Sequence, residues 1–116
     1  MRLCPQDPAD GIIVFCEIKK NQFNQRFMSL SHQQLNALAT KFGTPLYVYD
    51  AAHITAQYQK LTNAFAQTDT KFFYACKALT NINILKHIKN IGCNVDCSSI
   101  NEVKMAFLAG FEAKNI

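Results

Sequence analysis

Residues 71–77 have the sequence KFFYACK, an almost unbroken apolar run of strand length that ends on Lys77. Continuous rather than alternating apolar character is typical of a strand covered on both faces of a parallel sheet. Residues 93–97, with the sequence CNVDC, form a second short segment of strand character. The two segments therefore predict neighbouring parallel strands.

A helical pattern follows each of these strands. Thr80 is a candidate N-cap for the first helix, and Ser99 with Glu102 forms a capping box that opens the second. The predicted buried faces are Ile84, Ile88 and Ile91 in the first helix and Ile100, Val103 and Phe107 in the second. Strand, helix, strand, helix with short connections predicts right-handed βαβ units and an α/β fold.

The α/β pattern stops before a closed architecture is reached. Two strand–helix units close no barrel, and a (β/α)8 barrel usually needs about 250 residues. The chain has 116 residues. We therefore expect residues 51–116 to be the incomplete start of a (β/α)8, TIM-type barrel, and the chain to be a fragment.

Residues 28–50 predict one helix and one strand ahead of these units. A capping box of Ser31 and Gln34 opens the helix, Gly43 ends it, and residues 46–49, LYVY, have strand character.

Two further segments flank this helix and strand. Asp50 is a candidate cap for a second helix, whose apolar stripe consists of Ile54, Tyr58, Leu61 and Phe65. Residues 1–27 contain prolines and a polar run without a helical period, so we expect a weakly structured leader. Met28 is a candidate for the true start of the protein.

Composition excludes several classes of protein. With 49% apolar and 17% charged residues the chain is globular, and its net charge of +4 is scattered rather than gathered in the basic stripe of a nucleic-acid binder. No apolar run approaches the ~20 residues of a membrane span, and no secretory signal is visible. The five cysteines lack the spacing of a disulfide framework or a metal site, so we expect a cytoplasmic protein without a metal.

Lys77 is the first candidate for chemistry, because the active sites of α/β barrels lie at the carboxyl ends of the strands. Strand alternation places Phe73, Ala75 and Lys77 on one face, and the small Ala75 leaves room for a flat ring beneath the amine. Apolar walls around a lysine favour the neutral amine, which attacks aldehydes to form a Schiff base. The alternative is a surface lysine that merely ends a strand, which residue type alone favours.

Three segments occur in an order and spacing that resemble a known enzyme family. They are residues 43–50, GTPLYVYD, residues 73–78, FYACKA, and residues 95–99, VDCSS, followed by Glu102. Together they resemble the start of diaminopimelate decarboxylases and their ornithine and arginine decarboxylase relatives, over about residues 29–116. The Tyr-Ala-x-Lys-Ala segment is shared across the family, and residues 43–50 favour the diaminopimelate branch.

The resemblance implies an enzyme with pyridoxal 5'-phosphate bound in an alanine-racemase-like barrel, of fold type III, with the cofactor carried on Lys77. It also implies decarboxylation of an amino acid, a small-molecule substrate. In the diaminopimelate branch this substrate is meso-diaminopimelate and the product is L-lysine. The alternatives are an ornithine, arginine or carboxynorspermidine decarboxylase, a racemase or small cofactor-binding protein of the same barrel type, and a non-catalytic truncated remnant.

Asp96 is the second candidate site residue. It shares a strand face with Asn94, so its side chain can reach the barrel mouth near Lys77, and the family has an acid near the cofactor at this place. Capping of the turn that follows the strand is the alternative role. Glu102 also matches a family position, but its capping box with Ser99 accounts for it. The three histidines, His32, His53 and His87, fall on predicted helices with no partner spacing for a metal or a triad.

The resemblance also indicates what lies outside this sequence. The family's phosphate-binding loop, its substrate-binding residues, its carboxy-terminal β-domain and the segment exchanged in its homodimer all belong to later parts of the chain. We expect residues 28–50 to pack with that β-domain, so that the strand at residues 46–49 has no partner in this sequence. The 116 residues alone are therefore expected to be inactive and poorly soluble.

Overall fold

The computed structural model describes residues 12–15 and 30–116. Its helices and strands are β1 (Ile12–Phe15), α1 (His32–Phe42), β2 (Tyr47–Asp50), α2 (Ala51–Ala64), β3 (Phe73–Ala75), α3 (Ile82–Asn90), β4 (Asn94–Asp96) and α4 (Ile100–Ala109). Single 3-10 turns occupy Cys76–Ala78 and Ala113–Asn115. The chain divides into two compact units, residues 1–57 and 58–116. The predicted α/β composition is confirmed.

In the first unit, α1 begins and ends where the sequence predicts. The Gln34 N–H donates to Ser31 Oγ at 3.2 Å, and the Ser31 N–H donates to Gln34 Oε1 at 2.8 Å, which completes the capping box. Gly43 ends the helix with φ +83°, a backbone conformation that favours glycine.

The strand predicted at residues 46–49 forms as β2, one residue later than expected, and it has a partner. β1 pairs with it in antiparallel fashion, with Ile12 opposite Asp50 and Phe15 opposite Tyr47. The expectation that this strand has no partner in the sequence is therefore wrong. The leader, which we expected to be weakly structured, contains the strand β1. The physical reason is that Ile12-Ile13-Val14-Phe15 consists of β-branched and aromatic residues, which have high strand propensity. The rest of the predicted leader, and Met28, lie outside the described residues.

In the second unit, β3 and β4 pair in parallel, as predicted. Phe73 lies opposite Asn94, Tyr74 opposite Val95, and Ala75 opposite Asp96. Both strands are shorter than predicted, and β3 ends at Ala75 because the backbone turns into a 3-10 helix at Cys76. The side chains of Tyr74 and Val95 lie on one face of this sheet, and Val95 has no exposed surface.

The N-cap of α3 is Asn81, not Thr80. The Asn81 side-chain oxygen accepts hydrogen bonds from the N–H groups of Asn83 at 2.9 Å and Ile84 at 3.3 Å. The prediction was wrong by one residue because Thr and Asn both cap helices, and Asn is the stronger of the two. The buried face is confirmed for Ile84 and Ile88, and Leu85 between them is also fully buried.

The buried face of α4 differs from the prediction. Ile100 and Phe107 are exposed, whereas Ala106 and Ala109 are buried, together with Phe111 just beyond the helix. α3 and α4 pack against each other. Small alanine side chains on the inner face let the two helices approach closely, which leaves the larger apolar residues outside.

α2 begins as predicted, because Asp50 Oδ1 accepts a hydrogen bond from the His53 N–H at 2.9 Å. Its predicted apolar stripe is buried only in part, since Leu61 and Phe65 are exposed. Within the second unit Tyr58 donates its hydroxyl proton to the Gly92 carbonyl oxygen at 3.3 Å. None of the helices described is both long enough and apolar enough to cross a bilayer.

Candidate functional site

Lys77 lies in the 3-10 turn that directly follows β3. The turn is closed by the Leu79 N–H, which donates to the Cys76 carbonyl oxygen at 3.2 Å. Cys76 has no exposed surface, whereas the next residue, Lys77, is exposed. Burial of Cys76 therefore fixes the turn and presents the lysine amine on its outer side.

Asp96 is the last residue of β4 and is exposed. The register places it opposite Ala75, two residues before Lys77. The structure thus brings both predicted site residues to the carboxyl edge of one sheet. Among residues 30–116 no ion pair joins the two side chains.

The sheet face that carries Ala75 and Asp96 is open in the part of the chain that the structure describes. Phe73, on this face, is 49% exposed, in contrast to the buried Val95 on the opposite face. The described residues also leave Lys77 without the apolar walls that the sequence analysis expected. That enclosure stays a prediction.

Glu102 has the structural role that the sequence predicted, with one difference of detail. Its N–H donates to Ser99 Oγ at 3.3 Å, but its carboxylate accepts from the N–H of Ser98 at 2.6 Å, one residue before the N-cap. These bonds hold the turn between β4 and α4. Asp96 takes no part in them, so the capping role considered for Asp96 is filled by Ser99 and Glu102.

The three histidines lie on α1, α2 and α3, as predicted. Among the described residues, no group of three or more His, Cys, Asp or Glu side chains is arranged to hold a metal ion.

The sequence analysis missed one feature of this edge, the proximity of Cys76 and Cys97. The sequence analysis noted only that the five cysteines lack the spacing of a disulfide framework or a metal site. In the structure Cys76 and Cys97 directly follow the paired residues Ala75 and Asp96, so the two cysteines lie near each other at the ends of β3 and β4. Burial raises the pKa of the Cys76 thiol to about 11, with smaller contributions from Cys97 and the Glu102 carboxylate. Only a knowledge of the strand register could have revealed this proximity.

The arrangement suits a ligand that carries an aldehyde. Lys77 offers a primary amine, the group that condenses with aldehydes, on the outer side of its turn. Ala75 adds no bulk on the open face, and the Asp96 carboxylate lies at the same end of the sheet. These residues therefore fit the cofactor that the resemblance implied.

Comparison with protein families shows to which family the chain belongs. Residues 51–116 match a family model described as pyridoxal-dependent decarboxylase, pyridoxal binding domain. The chain belongs to the pyridoxal-dependent decarboxylase family. The match includes Lys77 and Asp96, and it confirms both the resemblance and the cofactor inferred from it.

Curated relatives extend this family assignment. A diaminopimelate decarboxylase of Methanothermobacter thermautotrophicus is 40% identical over 81 residues, which are 68% of this chain and 19% of the relative. A diaminopimelate decarboxylase of Deinococcus radiodurans is 41% identical over 83 residues, 72% of this chain and 21% of the relative. An L-glutamyl-(BtrI acyl-carrier protein) decarboxylase of Niallia circulans is 35% identical over 89 residues, 77% of this chain and 21% of the relative.

The chain spans about a fifth of the length of these relatives. No solved structure matches it significantly.

Proposed function

We propose that these residues belong to an enzyme that uses pyridoxal 5'-phosphate to decarboxylate meso-diaminopimelate to L-lysine. The observation that carries the proposal is the family match over residues 51–116, which contains the strand-end lysine Lys77. Two of the relatives described above are named diaminopimelate decarboxylases. Residues 43–50 also favour that branch of the family.

We infer that β3 and β4 are two strands of a (β/α)8 barrel. Their parallel pairing, with α3 between them, supports this architecture, as does the contrast between the two faces of the sheet. The buried face, with Val95, is the one that a barrel turns toward its helices. The open face, with Phe73 and Ala75, is the one that a barrel turns toward its axis, and Lys77 and Asp96 lie at the end where barrel active sites are found.

In this proposal Lys77 holds the cofactor through its Nζ atom. Pyridoxal phosphate, when bound, supplies an electron sink for the charge left on the substrate carbon as carbon dioxide departs. The Lys77 amine would also be placed to carry a proton to or from that carbon. Asp96 stabilises positive charge at the site, and the Glu102 hydrogen bonds keep the turn after Asp96 in place.

The test is a chemical label on Lys77. Reduction of the natural gene product with borohydride, after addition of pyridoxal phosphate, should fix the cofactor to Lys77. The product is found in the tryptic peptide of residues 72–86, since a modified lysine blocks cleavage after residue 77. Lys77→Arg should abolish the label and the decarboxylase activity, whereas Lys86→Arg, which changes an exposed lysine on α3, should leave both unchanged. A label on another lysine would refute the assignment.

Asp96→Asn gives a second, independent measurement. It keeps the size of the side chain and removes its charge, so we expect weaker cofactor binding with an unchanged circular dichroism spectrum. If the variant binds pyridoxal phosphate as tightly as the unchanged protein does, Asp96 does not belong to the cofactor site.

The substrate is tested by carbon dioxide release from a panel of amino acids. The panel contains meso-diaminopimelate, ornithine, arginine, carboxynorspermidine and a glutamyl group bound to a carrier protein. The last is included because the Niallia circulans relative is named for it. Carbon dioxide release from one of the other substrates alone would still identify a decarboxylase, but of another branch of the family. Labelling of Lys77 without any release of carbon dioxide would indicate a non-catalytic remnant.

We further propose that the enzyme acts as a homodimer in the cytoplasm, and that residues 28–50 pack with a carboxy-terminal β-domain. Light scattering of the purified gene product tests the dimer.

A further inference from the structure

The turn that carries Lys77 is bridged by the side chain of Tyr74. The Tyr74 hydroxyl donates a hydrogen bond to the Leu79 carbonyl oxygen at 3.2 Å. The two residues are five positions apart, so the bond closes over the whole 3-10 turn Cys76–Ala78. It therefore ties the far side of the turn back to β3.

Tyr74 is a firm anchor for this bond. It is the central residue of β3, and it pairs with Val95, which has no exposed surface. Its side chain is half-buried. A tyrosine side chain also loses little conformational entropy when its hydroxyl is held in place. The hydroxyl is thus a fixed point on the sheet from which a loop residue can be held.

Leu79 uses both of its backbone groups to close the turn. Its N–H donates to the Cys76 carbonyl oxygen at 3.2 Å, and its carbonyl oxygen accepts from Tyr74. The backbone bonds of a 3-10 turn have poor geometry, and exposed backbone bonds open readily. The bond from Tyr74 is therefore a substantial part of what keeps the exposed residues Lys77 and Ala78 in one conformation.

We propose that Tyr74 is a positioning residue for Lys77, whose hydroxyl holds the turn in the conformation that presents the lysine amine at the carboxyl edge of the sheet. This inference rests on the proposed function and deepens it, since Tyr74 acts on the cofactor only through Lys77. An amine and an aldehyde react fastest when they are held in a reactive arrangement. A mobile turn spends only part of its time in that arrangement, and the apparent affinity for the cofactor falls in proportion.

Tyr58 provides a matched control within the same unit. Its hydroxyl also donates to a backbone carbonyl oxygen, that of Gly92, at 3.3 Å. Gly92 precedes the amino end of β4, whereas Lys77 lies at the carboxyl edge of the sheet. Tyr58→Phe and Tyr74→Phe each remove one hydroxyl and keep the aromatic ring. The two variants therefore lose the same kind of hydrogen bond at opposite ends of the sheet.

The first measurement is hydrogen exchange in the natural gene product without cofactor, read from peptides that an acid protease releases after the exchange is quenched. Tyr74→Phe should accelerate exchange of the Leu79 amide about twofold to tenfold, the range that corresponds to the loss of one neutral hydrogen bond. Tyr58→Phe should leave exchange of this amide unchanged.

The second measurement is the pyridoxal phosphate concentration at which borohydride reduction labels half of Lys77. We expect this concentration to rise at least about twofold in Tyr74→Phe, and by no more than the acceleration of exchange. It should stay unchanged in Tyr58→Phe, with both variants equally well folded by circular dichroism. A small loss of global stability would not produce this shift, because it leaves nearly all of the protein folded and competent to bind.

Two results would overturn the role of Tyr74. One is faster exchange with an unchanged labelling concentration, which would make Tyr74 a structural residue of the turn and nothing more. The other is equal effects of Tyr74→Phe and Tyr58→Phe on the labelling of Lys77. Absence of the label from Lys77 in the unchanged protein would instead refute the proposed function, and the positioning role with it, so the two failures are distinguishable.

Discussion

Leu85 should control the stability of the second unit. It lies in α3, and among the residues whose burial the structure describes it is, with Val95 and Cys76, one of the three largest side chains that have no exposed surface. Leu85→Ala removes three carbons, which at ~0.8 kcal/mol each is a loss of about 2.4 kcal/mol in transfer free energy. The remaining cavity raises the expected cost to about 3–4 kcal/mol.

The matched control is Leu108→Ala. Leu108 is 70% exposed on α4, so the same chemical change should alter stability by no more than ~0.5 kcal/mol.

Hydrogen exchange measures this difference within the natural gene product. The amides of β4, Asn94–Asp96, fall in peptides that an acid protease releases after the exchange is quenched, and their exchange reports the opening of the second unit. A cost of about 3 kcal/mol corresponds to exchange roughly a hundredfold faster, since each 1.4 kcal/mol is a factor of ten. Equal exchange rates for the two variants would refute the view that α3 and β4 form the core of this unit.

Two further predictions concern α4 and the pH dependence of stability. Ser99→Ala should destabilise α4 by about 1 kcal/mol, because the Glu102 N–H loses its side-chain acceptor. The control Ser98→Ala keeps the hydrogen bond from the Ser98 backbone N–H to the Glu102 carboxylate and should change stability little. Equal effects of the two variants on hydrogen exchange in α4 would contradict this account. Because burial raises the pKa of Cys76 from 9.0 to about 11, the native state keeps a proton that the unfolded chain loses. The contribution of this thiol to stability should therefore be constant below pH 9 and fall between pH 9 and pH 11, by at most ~1.4 kcal/mol per pH unit. In urea unfolding at several pH values, the free energy of unfolding should fall less steeply with pH for Cys76→Ala than for the unchanged protein. An equally steep fall in the variant would contradict the assignment of this pH dependence to Cys76.

The sequence predicted those features that depend on local chemistry. The capping box at Ser31 and Gln34 is set by residues three apart, and the apolar run at residues 71–77 is sufficient to indicate a parallel strand. The strand-end position of Lys77 followed from the same run, and the family resemblance added the cofactor.

The features that the sequence did not predict depend on tertiary packing. α4 carries apolar residues on most of its surface, from Ile100 to Ala109, so its periodicity could not decide which side faces α3. Thr80 and Asn81 are both capping residues, and only the backbone geometry chooses between them. The proximity of Cys76 and Cys97 depends on the strand register, which no local pattern encodes.

The pairing of β3 with β4 has a kinetic consequence. Phe73 meets Asn94, twenty-one residues later, so the sheet closes over a connection that contains a 3-10 turn and α3. These contacts span a single β–α–β unit, and because loop-closure entropy grows with the logarithm of loop length, they require less of it than contacts between more distant strands. As the chain leaves the ribosome from its amino terminus, we expect β3 and β4 to pair soon after Asp96 emerges. The edge that carries Lys77 would then be assembled early in synthesis.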